Sequence, residues 1–330
     1  MDSIKIRNLK KSFGKFTAVN GISFDVEKGE IFGFLGPNGA GKTTTISMLA
    51  TLLKMSSGSA EVAGIDVSKD RDGVRKRMGI VFQDPALDGK LTGRENLEFH
   101  AIMHSMGKED YDRKIDELAR LVDLEGKLDN LVETYSGGMK RRLEIARGLI
   151  HEPEVLFLDE PTLGLDAQTR RNIWDYIRKL NHKTKITILI TTHYMEEADV
   201  LCSRVAIIDN GNIVALDTPA SLKNIIGGDV IRMELGNDCS RLVSILKKQK
   251  WVKEIKKHDC SLDISVELGE RKIPKVMELA KRTRAVVESI SLHKPSLEDV
   301  FLHFTGKTIR EQEASQNDRN RRMMGMRGHG

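Results

Sequence analysis

The sequence has few cysteines and no long hydrophobic run, and both absences exclude classes of protein. Its three cysteines, Cys202, Cys239 and Cys260, are far apart and match neither a zinc-binding spacing nor a disulfide framework, so we expect structural roles for them. No apolar stretch approaches the roughly 18 residues of a membrane-spanning helix. The N-terminus lacks the apolar core of a signal peptide, which predicts a protein of the cytoplasm.

The sequence also carries little net charge. The formal net charge is +5 over 330 residues, which is too small to indicate nucleic acid as a partner, and none is expected. Part of the excess lies after Gly306, where the chain becomes polar and rich in Gly, Arg and Met. We therefore expect residues 306–330 to be a disordered tail.

Short apolar segments predict an α/β protein. Five runs rich in Val, Ile, Leu and Phe are typical of strands buried on both faces of a mostly parallel sheet. Two nearly alternating segments predict an antiparallel β subdomain beside that sheet, and long helical patterns over about residues 92–150 predict a helical insertion. The five runs are residues 31–35, 79–82, 155–158, 186–191 and 205–208, and the alternating segments are residues 4–9 and 22–27.

A second domain is expected over residues 227–305, after a first domain of residues 1–226. The apolar pattern there predicts the order strand, helix, strand, strand, helix, strand, which is typical of a ferredoxin-like α+β sandwich. A further amphipathic helix is expected over residues 296–304, because Ser296 and Asp299 have the spacing of a capping pair.

The stretch GPNGAGKTTT, residues 36–45, lies between a predicted buried strand and a predicted helix. A glycine-rich turn in this position can point successive N–H groups at one anion, and the following helix adds the positive end of its dipole. The G-x-x-x-x-G-K-[ST] spacing places Lys42 near the β- and γ-phosphates of a nucleotide and the Thr43 hydroxyl on Mg²⁺. The stretch therefore predicts a nucleotide-binding loop.

The predicted strand at residues 155–158 ends in two carboxylates, Asp159 and Glu160. Ligands of open α/β sheets bind at the carboxyl ends of the strands, which is where these side chains would lie. Asp159 would hold Mg²⁺, and Glu160 would polarise or orient an attacking water. An acidic pair in a solvated turn is the alternative, but the upstream phosphate loop favours the catalytic interpretation.

A second pair of glycines occurs in the stretch YSGGM, residues 135–139, before a basic helical pattern. Its free N–H groups and the Ser136 hydroxyl make a second potential phosphate site. A plain helix cap by Ser136 is the alternative. Since two such loops would crowd one phosphate within a single compact subunit, the pattern suggests that two subunits pair.

Over about residues 3–220 these motifs resemble, in order, those of the ATP-binding subunits of ABC transporters. Residues 36–44 resemble the Walker A loop (the P-loop), and residues 136–139 resemble the family's signature loop. Residues 155–160 resemble Walker B, and residues 163–166 resemble the D-loop. Gln83 stands at the Q-loop position, His193 at the switch histidine and Phe13 at the aromatic that stacks on adenine. The resemblance implies a P-loop NTPase fold and an ATP site formed by Phe13, Gly36, Pro37, Asn38, Gly39, Ala40, Gly41, Lys42, Thr43, Thr44, Gln83, Ser136, Gly137, Gly138 and Asp166.

The resemblance also implies a mechanism. Two copies would close head to tail around two ATP molecules, each held between the P-loop of one copy and the signature loop of the other. His193 would contact the γ-phosphate and help to hold the water of Glu160, Gln83 would signal to the insertion, and Asp166 would fix the geometry of the partner copy. The implied Mg²⁺ ligands are Thr43, Gln83 and Asp159.

Plainer interpretations remain open for four of these residues. The alternatives are a hydrophobic-core position for Phe13 and an ordinary polar loop position for Gln83. For Asp166 the alternative is a helix cap, and for His193 it is a structural role.

Two details resemble the daunorubicin-type drug-resistance and lipid-exporter subfamily: the YSGGM signature and the ending PSLEDVFLHFTGK. Met139 replaces the commoner glutamine and cannot donate that residue's hydrogen bond. The implied function is an ATPase on the cytoplasmic side of the membrane that powers a separate transmembrane permease, with export favoured. The rival functions are a soluble ABC-type ATPase with a non-transport partner and a regulatory module whose residues 229–305 sense a ligand.

Overall fold

The computed structural model describes residues 2–226, 228–236, 239–258 and 261–306. The chain divides into two units, of which the first ends at Thr218 and the second begins at Pro219, earlier than the boundary expected near residue 226. Cys260 and the expected disordered tail from residue 307 onward lie outside the described residues. Within the described ranges, no helix is both long enough and apolar enough to cross a membrane.

The first unit contains ten strands in two sheets. Its strands are β1 (Asp2–Phe13), β2 (Phe16–Glu27), β3 (Ile31–Leu35), β4 (Ser57–Val62), β5 (Ile65–Asp66), β6 (Met78–Val81), β7 (Val155–Asp159), β8 (Thr187–Thr192), β9 (Arg204–Asp209) and β10 (Asn212–Asp217). Its helices are α1 (Lys42–Leu49), α2 (Arg71–Arg77), α3 (Gly93–Met103), α4 (Lys108–Leu121), α5 (Gly137–Leu149), α6 (Ala167–Thr184) and α7 (Met195–Leu201). Two short 3₁₀ turns, Glu125–Lys127 and Val132–Thr134, connect α4 to α5.

The main sheet has six strands in the order β10-β9-β3-β8-β7-β6. The pairs within β9-β3-β8-β7-β6 are parallel, and only the β10 pair is antiparallel. All five predicted buried strands occur, with bounds that differ by no more than one residue, which confirms the mostly parallel sheet. Helices α3, α4 and α5 occupy the stretch in which the helical insertion was expected.

A smaller antiparallel sheet has the strand order β2-β1-β4-β5. The antiparallel pairing of β1 with β2 confirms the two alternating segments, although both strands are longer than predicted. Buried side chains from this sheet, the main sheet and α1 form one core, in which the Phe24 and Phe32 rings stack 5.1 Å apart. The Arg204 guanidinium makes two 2.8 Å contacts with the Glu30 carboxylate and donates to the Asp25 carbonyl at 2.9 Å, which links β9 to the end of β2.

The second unit has the element order that the sequence predicts. It consists of α8 (Pro219–Ile225), β11 (Asp229–Leu235), α9 (Ser240–Leu246), β12 (Val252–His258), β13 (Ser261–Val266), α10 (Gly269–Thr283), β14 (Val287–His293) and α11 (Leu297–Thr305). Its antiparallel sheet has the order β12-β13-β11-β14, which is the ferredoxin-like arrangement. The predicted capping pair starts α11, since Ser296 Oγ accepts the Asp299 N–H and Asp299 accepts the Ser296 N–H.

The close approach of β6 to α5 gives a test of the fold. A Cβ added at Gly79 would lie 2.1 Å from the Gly148 carbonyl oxygen, whereas one added at Gly126 would have no atom within 4 Å. We expect Gly79→Ala to lower the free energy of unfolding by about 1–3 kcal/mol or more, because two backbones must separate. Gly126→Ala, the matched control, should change it by less than about 1 kcal/mol. Urea unfolding of both variants checks this, and equal midpoints would contradict it.

Candidate functional site

The loop between β3 and α1 is folded around its own lysine. The Gly36 N–H donates to the Thr192 carbonyl at the end of β8 at 3.1 Å. The buried Lys42 ammonium donates back to the carbonyls of Gly36 at 2.7 Å and Pro37 at 3.1 Å. The loop is therefore fixed to the sheet edge, with a positive charge at its centre.

Gly41 begins α1 in a conformation that favours glycine. Its φ is +106°, and a Cβ would lie 2.5 Å from the Ala18 carbonyl oxygen. Gly41 also leaves the first N–H groups of α1 without a side-chain cap. Those groups and the positive end of the helix dipole make this terminus suited to an anion such as phosphate.

A cavity of about 220 Å³ adjoins this loop and is lined by eight of the fifteen residues predicted for the ATP site, and by Glu160. Phe13 on its wall is half exposed, so it is not a core residue, and the Lys11 ammonium lies 4.9 Å from its ring centre. Phe16, which the sequence reasoning missed, is a second exposed aromatic there. The walls are formed by Phe13, Phe16, Ala18, Asn38, Gly39, Gly41, Lys42, Thr43, Thr44, Gln83 and Glu160.

Asp159 ends β7 as a buried carboxylate among hydroxyl groups. Its Oδ1 accepts hydrogen bonds from the hydroxyls of Thr43, at 3.3 Å, and Thr191. Burial raises the pKa of Asp159, although both hydroxyl donors oppose that shift. The Thr43 hydroxyl and the Asp159 carboxylate are oxygen donors of the kind that Mg²⁺ prefers, so this pair fits the predicted metal site.

Glu160 is held in an uncommon backbone conformation. Its φ is +49°, in the left-handed region that non-glycine residues rarely adopt. Its N–H donates to both the carbonyl and the hydroxyl of Thr191, each at 3.1 Å. Such backbone strain costs about 1–3 kcal/mol and is concentrated at functional sites, where the surrounding contacts hold it.

The Glu160 side chain lies between two basic groups. Its Oε2 is 2.7 Å from His193 Nδ1. Its Oε1 is 3.0 Å from Lys42 Nζ, and we regard this contact as an ion pair without directional hydrogen bonding. Burial raises the pKa of Glu160, but the His193 hydrogen bond and the Lys42 charge outweigh burial and lower it overall. Glu160 is therefore an ionised carboxylate at neutral pH.

The glycines of the YSGGM stretch lie apart from the P-loop cavity. Ser136 caps α5 by accepting the Met139 N–H at 3.3 Å. Ser136 and Gly138 line a separate cavity of about 1150 Å³.

Asp166 caps α6 by accepting the N–H of Thr169 at 2.9 Å. Thr169 also packs close to the signature stretch, since a Cβ on Gly138 would lie 2.5 Å from Thr169 Cγ2. The two helix caps predicted as alternatives are therefore present, and ligand contacts of Ser136, Gly137, Gly138 and Asp166 stay predictions.

Arg141, on α5, connects the Q-loop stretch to Glu160, and the sequence reasoning did not single it out. Its guanidinium donates to the carbonyls of Glu160 at 3.0 Å, Pro161 at 2.6 Å and Phe82 at 2.7 Å. Phe82 directly precedes Gln83. One buried guanidinium thus holds both the strained turn at Glu160 and the chain segment that carries Gln83.

Glu144 balances the charge of Arg141 one helical turn later. Its Oε2 accepts from Arg141 at 2.9 Å, and its Oε1 accepts the Ala86 N–H at 2.8 Å. Both side chains lie on the buried side of α5, where a helical pattern places apolar residues. Charged residues at such positions are the sequence signal that would have identified the pair.

Two family models match the chain. Residues 19–163 match the model described as ABC transporter. Residues 218–305 match the C-terminal domain of DrrA1-3-like ATP-binding proteins.

Similar whole proteins agree with these matches. A linearmycin resistance ATP-binding protein of Bacillus subtilis is 38% identical over 93% of this chain and all of that protein. A Nod factor export ATP-binding protein of Burkholderia lata is 40% identical over 93% of this chain and 98% of that protein.

Solved structures show the same fold. The cbiO1 structure from Clostridium perfringens has a TM-score of 0.63 and 29% identity, and the match covers 67% of this chain and 90% of that one. The dimeric bacterial ABC transporter cassette MJ0796 has a TM-score of 0.59 and 27% identity, over 65% and 98% of the two chains.

The contacts of Arg141 predict separate effects on stability and on ATP hydrolysis. Arg141→Met removes the carbonyl contacts and leaves Glu144 buried without its partner, so we expect a loss of about 3–5 kcal/mol of stability. The double change Arg141→Met with Glu144→Gln removes both charges and keeps an acceptor for the Ala86 N–H, so the part of the loss that comes from an unpaired buried charge should return. Hydrolysis should stay about 10- to 100-fold low in the double variant, because the turn at Glu160 is no longer positioned.

The measurements are urea unfolding and the kcat and KM of ATP hydrolysis. Arg171→Met, an exposed change on α6, is the matched control and should leave both properties unchanged. If the double variant regains stability together with normal kcat, Arg141 has only a structural role.

Proposed function

The chain belongs to the family of ABC transporter ATP-binding proteins, and from this we propose that it binds and hydrolyses ATP to power a separate membrane permease that exports a drug-like or lipid-like compound. The main support for the proposal is that Glu160 contacts both Lys42 and His193 at one end of the parallel sheet, beside a glycine-rich loop. Relatives named for linearmycin resistance and for Nod factor export support export as the direction of transport.

We propose that ATP phosphates replace Glu160 as the anionic partner of Lys42. The lysine already lies at the centre of the loop, with its charge balanced by Glu160 Oε1 at 3.0 Å. Phosphate oxygens would take over that role and add contacts with the N–H groups at the start of α1. Phe13 and Phe16, exposed on the same cavity, supply flat surfaces for the adenine ring.

The residues proposed for Mg²⁺ are Thr43 and Asp159, with Gln83 on the same cavity as a further oxygen donor. When bound with ATP, Mg²⁺ neutralises part of the phosphate charge. The raised pKa of Asp159, caused mainly by burial, is consistent with a carboxylate that a cation would stabilise in its charged form.

Glu160 is proposed to orient and polarise the attacking water. Its lowered pKa keeps it ionised at neutral pH, so its oxygens can accept a proton or a hydrogen bond from water. His193, 2.7 Å from Glu160 Oε2, would fix the direction of the carboxylate and reach the γ-phosphate. Arg141 would act through the backbone of Glu160 as a positioning residue.

A second copy of the chain is proposed to complete each site. Ser136 and Gly138 line a different cavity from the P-loop residues, so the signature loop of the same chain is not part of the ATP cavity. A head-to-tail pair would place that loop of one copy against the nucleotide of the other. The likeness to a dimeric cassette structure supports this arrangement.

The permease is proposed to dock on the helical insertion from the cytoplasmic side of the membrane. Phe99, Ile102 and Met103 are exposed apolar side chains on α3 of the insertion. Leu52, just after α1, lines the same cavity as Phe99 and Met103, and each of the four is at least 57% exposed. Apolar groups exposed together mark interaction surfaces. Gln83 follows β6 beside the same region, in a position to connect docking with the nucleotide site.

Copurification tests the transport function against the rival soluble ATPase. The full chain is coexpressed with any multispan membrane protein that is encoded beside its gene, and the complex is extracted in detergent and assayed in vesicles for ATP-dependent export. Copurification and export support the proposal. Association with ribosomes or DNA, with no membrane partner, would favour the rival.

Glu160→Gln is expected to separate ATP binding from hydrolysis. The change keeps the side-chain shape but removes the charge, so hydrolysis should fall at least about 10²-fold, as is typical when a general base is lost. ATP should still bind through Lys42, Thr43 and Asp159, and the closed dimer should accumulate as an ATP-dependent shift on a sizing column. Glu61→Gln, an exposed change on β4, is the matched control. Near-normal hydrolysis would refute the catalytic role of Glu160.

Gln83→Ala is expected to reduce transport more than nucleotide binding. The side chain is exposed at the cavity edge, so its loss removes few contacts of the loop that holds the phosphates. Export in vesicles and ATP affinity of the isolated chain are compared for the variant and the wild type. A collapse of ATP affinity would instead make Gln83 a primary binding residue.

A further inference from the structure

Three histidines that the proposed transport mechanism does not use meet at one cavity of about 620 Å³. His100 and His104 lie one helical turn apart on α3, and His151 follows α5. One ring nitrogen from each histidine lies within 4.8 Å of the others. The His104 and His151 rings stack with centres 3.8 Å apart, and the His100 ring centre is 5.0 Å from that of His104.

One ring nitrogen of His151 has a bare lone pair. Its Nε2 lies 2.9 Å from the Met78 carbonyl oxygen. Because a carbonyl only accepts, Nε2 must carry the proton, and Nδ1 is left as an acceptor. That Nδ1 is buried and has no hydrogen-bond partner. A histidine whose one nitrogen donates to a backbone carbonyl while the other is free is the usual arrangement of a metal ligand.

Burial favours the neutral form of all three imidazoles, which is the form that binds a metal ion. Burial lowers the pKa of His100 to about 3 and that of His151 to about 4, and burial also lowers the pKa of His104. The Arg147 charge contributes to the shift of His100 and opposes a cation at this place. Glu144 attracts Arg147 as well but already pairs with Arg141, so it offsets the Arg147 charge only in part.

We propose that His100, His104 and His151 form a binding site for a divalent transition metal, with Zn²⁺ as the best match. Imidazole nitrogens suit zinc, whereas Mg²⁺ prefers oxygen. Zn–N bonds of about 2.0–2.1 Å in a tetrahedral site place ligand nitrogens about 3.4 Å apart. The His104 ring is stacked on that of His151, so His100 and His104 must rotate toward His151 Nδ1, while His151 keeps its bond to Met78. Three protein ligands leave the fourth position open to water. The ion would join α3 of the insertion to the end of α5.

Zinc titration of the full chain tests the site. The protein is purified without a polyhistidine tag, stripped with a chelator, and titrated with Zn²⁺ alone in a calorimeter. We expect one equivalent to bind and to raise the melting temperature, because a ligand specific to the native state stabilises it. An excess of Mg²⁺, for which a separate site is proposed at Thr43 and Asp159, should not displace the Zn²⁺. No stoichiometric Zn²⁺ binding, or displacement of Zn²⁺ by Mg²⁺, would overturn the proposal.

Variants identify the ligands. His100→Ala, His104→Ala and His151→Ala should each weaken Zn²⁺ binding by at least about 100-fold, because loss of a ligand costs no less than loss of its supporting partner. His182→Ala, an exposed histidine change on α6, is the matched control and should bind zinc like the wild type. Undiminished affinity in all three cluster variants would place the ion elsewhere and refute the site.

A histidine-to-cysteine substitution tests the site even if the alanine variants fail to fold. His104→Cys keeps a metal-binding group on α3, so Co²⁺ should still bind and should gain a thiolate-to-metal charge-transfer band that the wild type lacks. This band would identify residue 104 as a ligand. A folded His104→Cys protein that binds Co²⁺ without the new band would contradict the assignment.

Discussion

The site depends first on the parallel pairing of three central strands. β3 pairs with β8 so that Leu35 lies opposite Thr192, and β7 pairs with β8 so that Asp159 lies opposite Thr191. Parallel strands end at the same edge, so the phosphate loop, the acidic pair and His193 emerge together although they are far apart in the sequence. A slip of this register would move the carboxylates away from Lys42.

The sequence predicts best those features whose cause is local. The five buried strands are runs of apolar residues, and the phosphate loop needs glycines and a lysine at fixed spacing, so both are visible without knowledge of the fold. β4, with the sequence SGSAEV, was not predicted, because it has few apolar residues and takes its conformation from its neighbour β1. β10, with the sequence NIVALD, was not predicted although it is mostly apolar. Charged residues on the apolar side of α5 and the spacing of His100 and His104 are visible in the sequence, but their long-range partners are not.

The same chain uses its two glycine-rich helix starts differently. The start of α1 has no side-chain cap, and Lys42 supplies a positive charge beside it. The start of α5 is already capped by Ser136, whose Oγ accepts the Met139 N–H. Because a hydroxyl can accept one hydrogen bond and donate another, this cap does not prevent Ser136 from donating to a phosphate. Capping and ligand binding are therefore compatible interpretations of Ser136.

Arg141 gives a physical route between the Q-loop stretch and the proposed catalytic carboxylate. Its guanidinium is planar and rigid, and it holds the Phe82 and Glu160 carbonyls at once, so movement of one segment changes the contacts available to the other. The positive φ of Glu160 makes that turn sensitive, since a strained conformation persists only while its contacts hold it. A permease that displaces the segment around Gln83 would thereby alter the orientation of Glu160 without touching the nucleotide.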